Sequence, residues 1–164
     1  MGLSELIPVK GVRLGTACAG IKKPGRRDLV VIDLAPGTRT AAVFTRNAFC
    51  AAPVTVARAR LDGHPPHYLL VNTGNANAGT GRQGIEDAKG CCLAVAHAGG
   101  CAEEEVLPFS TGVIGEPLPV DVITAAVPQA FAALREDGWG DAAHGILTTD
   151  TVPKATARQV EVDG

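Results

Sequence analysis

Aromatic side chains make up only 4% of this 164-residue chain, with one Trp, one Tyr and four Phe, so its core cannot rest on large stacked rings. Small aliphatic residues must fill the interior, and Ala, Val, Gly and Leu are abundant enough to do so at close spacing. No apolar run approaches the roughly 20 residues that a bilayer-spanning helix needs. Polar residues interrupt the amino terminus where a signal peptide would carry an unbroken hydrophobic stretch. A cytoplasmic protein with no membrane partner is the expectation. Charge of one sign is lacking too: 15 Lys and Arg against 17 Asp and Glu leave a formal −2, which offers no footprint for nucleic acid. Lys22, Lys23, Arg26 and Arg27 do cluster around Pro24 and Gly25. That cluster reads either as a solvated turn or as a device that steers an anionic substrate.

Two further absences concern chemistry. The five cysteines (Cys18, Cys50, Cys91, Cys92 and Cys101) are odd in number and lack C-x-x-C spacing, which argues against a disulfide framework or a zinc site. Adjacent helical residues point about 100° apart, so Cys91 and Cys92 are poorly placed to share a metal and read as buried free thiols. G-x-S-x-G is also missing. His64, His67, His97 and His144 sit in contexts that suggest surface positions without a catalytic pairing.

With 46% hydrophobic residues, the chain is long enough for one compact domain over residues 1–164. The pattern from Val9 to Leu70 predicts short strands at 10–19, 29–34, 40–45, 53–60 and 67–72, with turns at Lys23-Pro24-Gly25 and Ala35-Pro36-Gly37. Leu29 to Ile32 and Leu69 to Val71 are almost continuously apolar, as strands covered on both faces would be. Covering helices follow. One is expected from Gly84 to Ala98, stopped by Gly99 and Gly100, after which a strand from Val106 to Phe109 runs into Ser110. A second helical region begins near Pro119 with an apolar stripe of Val120, Ile123, Val127, Ala130, Phe131 and Leu134, kinked or divided by Pro128. A short helix from Asp141 to Ile146 delivers Thr148 to Thr151, and Thr156 to Val162 alternates like an edge strand. Asp163-Gly164 would open a hairpin whose returning strand is not in the chain, so a partner segment is expected. The fold class is α+β, layered sheets covered by helices, with no alternating parallel βαβ pattern.

Gly79-Thr80-Gly81-Arg82-Gln83-Gly84 satisfies G-x-G-x-x-G and opens a helix, the arrangement that binds pyrophosphate on backbone amides. Asn75 to Ala78 separate it from the preceding strand, which favours a plain Gly-rich connection. Asn72, Asn75 and Asn77 read as loop-folding residues, with ligand contact as the alternative. Thr111 and Gly112, in Ser110-Thr111-Gly112-Val113-Ile114-Gly115-Glu116-Pro117, offer a hydroxyl and an unhindered N–H that could converge on a developing oxyanion. An ordinary strand-capping turn would use the same residues, and spacing leaves both readings open. Thr148, Thr149, Asp150 and Thr151, with Lys154 beyond, could meet a substrate or simply bond locally.

Asn72 to Ala78 (N-T-G-N-A-N-A), Ser110 to Pro117 (S-T-G-V-I-G-E-P) and Thr148 to Lys154 (T-T-D-T-V-P-K) together resemble the ornithine acetyltransferase family. Ala19 to Lys23 and Ala41 to Phe49 extend the match, which runs from about Pro8 onward and is similar to the family's α subunit. The resemblance implies an N-terminal-nucleophile-like α/β sandwich cut from a self-cleaving precursor. The nucleophilic Thr then heads a β subunit absent from this chain, its freed amine acts as base, and the subunits form an α2β2 heterotetramer. Thr111 and Gly112 fall on the oxyanion-hole pair, and Thr148 on a substrate-binding position. The implied reaction, part of arginine biosynthesis, moves acetyl from N2-acetylornithine to that Thr and then to glutamate, without a cofactor. Some members also accept acetyl-coenzyme A. An N-terminal-nucleophile aminopeptidase or amidohydrolase is the alternative. The departure from the family is the end at Gly164, before the cleavage segment.

Overall fold

A computed structural model describes residues 6–161. Four strands and four helices alternate along the chain as a mixed α+β fold: β1 (Val12–Ala17), β2 (Leu29–Leu34), α1 (Ala52–Leu61), β3 (Tyr68–Asn75), α2 (Gly81–Gly99), β4 (Val106–Val113), α3 (Val120–Ala132) and α4 (Trp139–Gly145). The strands form one sheet in the order β1-β2-β3-β4. The first two pairings are antiparallel, with Leu14 opposite Ile32 and Val31 opposite Leu70, and β3 pairs β4 in parallel. A parallel pair needs a crossover, which α2 supplies. The sequence pattern predicted no βαβ unit; β3-α2-β4 is one, because strand pairing partners leave no mark in local periodicity.

The two-residue period of the strands divides the core between the faces of the sheet. Leu29, Val31, Tyr68, Leu70 and Val106 meet Cys91, Cys92 and Val95 of α2 and Ile123, Val127 and Ala130 of α3. Val30 and Leu14 on the other face meet Ala142 of α4, with Trp139 beside them. Leu29, Val30 and Val31 are all completely buried, so the middle of the sheet is covered on both faces as the apolar run implied. Each such side chain contributes about 1.5–3 kcal/mol relative to exposure.

Several expectations need correction. Residues 53–60 are helical: Ala52, Pro53, Val56, Ala57 and Arg60 are the buried positions of α1, a spacing of three and four, and Pro53 sits in the first turn, where its missing N–H costs nothing. Val54 and Val56 imitated a strand's alternation. Residues 40–45 have a strand's composition but no ladder, since α1 packs along β4 and this segment runs irregularly with Val43 99% exposed. Pro128 lies within a single α3 and does not divide it. β4 extends to Val113, so Ser110 to Val113 belong to the strand. Residues 156–161 form no strand, and Val162, Asp163 and Gly164, with the expected hairpin, lie outside the described residues. The turns at 23–25 and 35–37 occur as expected, the latter with Thr38 N donating to Ala35 O at 3.1 Å. Gly100, at φ +68°, ends α2. Among the described residues no helix is long and apolar enough to cross a membrane.

Candidate functional site

Because β3 and β4 are parallel, their carboxyl ends lie side by side. Thr73 stands opposite Thr111 and Gly74 opposite Gly112, and the register breaks at Gly74 and Asn75. Gly112 has φ +139°, and a Cβ there would lie 2.5 Å from the Asn75 nitrogen and 2.6 Å from the Gly74 carbonyl oxygen. Glycine at 112 is therefore a condition of the two backbones crossing. Gly74, at φ +105°, serves the opposite side: a Cβ would sit 2.8 Å from Lys22 Cγ, so the lysine stem lies directly on this residue.

The crossing forms the floor of a cavity of about 520 Å³, lined by Lys22, Lys23, Arg26, Asp28, Thr73, Gly74, Thr111, Gly112, Val113, Leu147, Thr148 and Thr149. Its walls come from remote parts of the chain and are tied down individually. Asp28, only 3% exposed, accepts the backbone N–H groups of Ala19 (2.6 Å), Gly20 (2.9 Å) and Ile21 (2.7 Å), which fixes the loop that delivers Lys22. The Lys22 ammonium then pairs with the Glu116 carboxylate at 2.6 Å. On the far wall, the Arg26 guanidinium donates to the Leu147 carbonyl, and the Thr73 hydroxyl donates to the Gly145 carbonyl at 3.0 Å. These two bonds hold the segment that presents Thr148.

The structure thus brings Thr111, Gly112 and Thr148 into one cavity. It also places Lys22, Lys23 and Arg26 along the cavity, on the exposed turn that the sequence implied, while Arg27 turns away to pair with Asp141 at 3.2 Å. Asp150 and Lys154 pair with each other at 2.6 Å outside the cavity. Thr73 and Gly74 lie within the Asn72 to Ala78 motif, without a role of their own in the sequence reading, whereas Asp28 shows only as an acidic residue closing a run of basic ones at a strand's start.

The asparagines fold the loops. Asn72 donates to the Asn75 carbonyl at 2.9 Å and accepts from the Ser110 hydroxyl at 2.5 Å, and Asn75 donates to the carbonyls of Glu116 (3.2 Å) and Pro117 (2.9 Å). Asn77, wholly buried at φ +45°, donates to the Gly84 carbonyl and accepts from Thr80, both at 2.8 Å. A Cβ on Gly84 would collide with those two side chains. The third glycine of G-x-G-x-x-G therefore makes room for Asn77 and Thr80, whereas in the dinucleotide fingerprint it serves close helix–strand packing.

Chemically, the cavity offers a half-buried hydroxyl at Thr111, an open backbone at Gly112 and a cationic wall. Both carboxylate oxygens of Asp28 are occupied by amides. No histidine or cysteine lines it. His67 departs from expectation by pairing with Asp33 at 3.4 Å and stacking on Tyr68, but Asp33 and Tyr68 lie at the other end of β3 from Thr73. All five cysteines are free; Cys91 and Cys92 are buried as expected, whereas Cys18 is exposed. Burial pushes the Cys91 thiol up to about 12 and that of Cys92 up to about 11. Among the described residues the cavity gathers hydroxyls, open backbone and cations, with neither histidine nor cysteine beside them.

Residues 13–164 match the ArgJ family. Over 160 residues the chain is 58% identical to the arginine biosynthesis bifunctional protein ArgJ of Methylococcus capsulatus, covering 98% of this chain and 39% of that protein. The protein of the same name from Pseudomonas syringae pv. tomato is 54% identical over 162 residues, 99% of this chain and 40% of its own length. The chain therefore spans about two fifths of these relatives, at 39% and 40% of their length. Among solved structures, ornithine acetyltransferase from Mycobacterium tuberculosis, crystallised with ornithine, superposes with a TM-score of 0.84 at 36% identity, over 92% of this chain and 81% of that one. The ArgJ protein of Bacillus halodurans gives 0.73 at 35% identity, over 87% and 75%.

Proposed function

The chain belongs to the ArgJ family, and from that premise we propose that it is the α portion of an arginine-biosynthesis acetyltransferase whose nucleophile lies in the remaining three fifths of the protein. The donor is N2-acetylornithine and the acceptor glutamate, and acetyl-coenzyme A is a second donor. The single observation that carries the reading is the convergence of Thr111, Gly112 and Thr148 on one cavity that lacks its own nucleophile. Residues 1–164 act as one domain of that α portion, which assembles with the β portion as α2β2.

In this reading the hydroxyl of a Thr heading the β portion attacks the acetyl carbonyl carbon. A C–O bond forms, and the carbonyl electron pair moves onto oxygen. The Thr111 hydroxyl and Gly112 N–H donate to that oxyanion, and because both are held by the β3–β4 crossing they need no reorganisation as charge develops. Collapse breaks the C–N bond, and the departing ornithine amine takes the proton that the nucleophile gave up through the adjacent N-terminal amine. The glutamate amine then attacks the acetyl-Thr ester, and the same donors hold the second oxyanion. Collapse breaks the acyl C–O bond, while the proton lost by the glutamate amine passes through the N-terminal amine to the Thr oxygen. Thr148, on the wall opposite the floor, orients the bound amino acid.

The test is the full-length protein assayed for acetyl transfer from N2-acetylornithine to glutamate. Thr111→Ala is expected to lower kcat by about 10² to 10³ with KM little changed, the loss expected for one oxyanion donor. An undiminished kcat would remove Thr111 from the mechanism. Acetate released in place of N-acetylglutamate would instead identify a hydrolase.

A further inference from the structure

Acetyl exchange, on which this inference rests, makes an unusual demand: one cavity must hold in turn two amino acids whose side chains end in opposite charges. Ornithine ends in an ammonium and glutamate in a carboxylate. A wall of fixed sign would favour one and repel the other. Of the four charged residues that line the cavity, Lys22, Lys23, Arg26 and Asp28, two are committed to backbone groups. Asp28 is saturated by three amides, and Arg26 is spent on the Leu147 carbonyl. Lys22 differs: from the cavity lining it meets Glu116, a residue of opposite sign just outside that lining, at 2.6 Å, and the two side chains are 42% and 49% exposed. An exposed pair of this kind is held weakly and opens to water at little cost.

We infer that the Lys22–Glu116 ion pair reads the side-chain end of both substrates. A carboxylate entering the cavity takes Lys22 while Glu116 returns to water. An ammonium takes Glu116 and releases Lys22. The stem of Lys22 lies on Gly74, directly opposite Gly112 in the register, so its ammonium swings from a fixed base. The backbone of Glu116 is held by Asn75, so its carboxylate likewise moves from an anchored point. The pair therefore exchanges partners with no change of fold, and the cavity presents whichever sign the substrate lacks.

In a two-step exchange, kcat/KM for each substrate reports its own half-reaction, so the two roles separate in the full-length protein. Lys22→Gln is expected to lower kcat/KM for glutamate about tenfold while the value for N2-acetylornithine changes less than about twofold, a difference of about 1.4 kcal/mol. Glu116→Gln is expected to show the reverse selectivity. Lys22→Arg keeps the charge and is expected to restore most of the glutamate value, which a merely structural lysine would not require. A parallel fall for both substrates in either variant would overturn the inference, since it would mark a contact to the α-carboxylate they share. Unchanged values in both variants would overturn it as well. Those results leave wild-type acetyl transfer intact, whereas its absence in the wild-type protein would sink the proposed function itself and this inference with it.

Discussion

Asp28 is where the sequence exerts most leverage on the cavity without touching a substrate. Its carboxylate is 3% exposed and accepts three backbone amides at 2.6, 2.9 and 2.7 Å. Hydrogen bonds to a charged acceptor are worth about 1.5–3 kcal/mol each, and neutral ones about 0.5–1.5. Asp28→Asn preserves shape but leaves a single acceptor oxygen. Its best orientation keeps that oxygen on Gly20 and Ile21, which share Oδ2, and turns the amide NH2 against the Ala19 N–H. Stranding that donor costs about 1–3 kcal/mol, and the two surviving bonds each lose about 1 kcal/mol with the charge, for a total of about 3–5 kcal/mol. Amide exchange at Ala19, Gly20 and Ile21 is expected to accelerate, and the thermal midpoint of the full-length protein to fall by about 5 °C, since the unfolding entropy that divides the cost grows with chain length. The loop carries Lys22, so kcat/KM for glutamate is expected to fall as well. A midpoint within about 2 °C of wild type, with exchange at these amides unaltered, would refute the claim that Asp28 organises the loop.

Gly112→Ala is expected to cost about 2–6 kcal/mol, from a strained positive φ and from overpacking against Asn75 and Gly74. Gly115→Ala is the control, because its φ of +82° is strained but its Cβ would point into open space; a cost above about 2 kcal/mol there would refute the distinction, and denaturation midpoints measure both. For the thiols, the folded values of about 12 for Cys91 and about 11 for Cys92, against an ordinary 9.0, leave thiolate fractions at pH 8 of about 10⁻⁴ and about 10⁻³. Alkylation of the native protein followed by peptide mapping is expected to label Cys18 and spare both; rapid labelling of either buried thiol would contradict its burial. Because the folded state holds these protons more tightly than the unfolded one, their contribution to stability is fully present below pH 9. It is lost as pH rises from there through about 11 and about 12, so stability is expected to decline along that alkaline limb.

Elements whose burial writes a period into the sequence were readable. β2 shows as an apolar run because Leu29 to Val31 are covered on both sides, and α3 shows as a stripe because Ile123, Val127 and Ala130 face the sheet. α1 was misread because Val54, Val56 and the small residues around them satisfy two periods at once in so short a window, and only burial at 53, 56, 57 and 60 decides between them. The site divides in the same way. Thr111, Gly112 and Thr148 lie in contiguous motifs that a family resemblance can carry. Asp28 and Lys22 gain their roles from a loop conformation, and Arg26 from a carbonyl 121 residues away. Contacts of that range are a property of the fold, with no local signature to read.

The asparagines explain why the cavity floor can be built from backbone. Two neighbouring strands that each carry a positive-φ glycine near their end, Gly74 in β3 and Gly112 in β4, have little intrinsic preference for one conformation there, since glycine loses the most entropy on ordering. Here the crossing is fastened from its sides: Ser110 to Asn72, Asn72 to the Asn75 carbonyl, and Asn75 to the carbonyls of Glu116 and Pro117. Every member of this chain of bonds lies within a few residues of Gly74 or Gly112, and Asn72 and Asn75 are buried, where an unmade hydrogen bond is expensive. The loop-folding and ligand-binding readings of these asparagines are therefore linked as cause and effect. By pairing with Thr111 and Val113 on one side and holding the Glu116 backbone on the other, Asn75 sets the distance between the group that would stabilise the oxyanion and the carboxylate that would read the side chain. Asn75→Asp would lose both donated bonds and set a negative charge against two carbonyl oxygens. In the proposed reaction its effect should accordingly fall on both half-reactions together, unlike that of either partner in the Lys22–Glu116 pair.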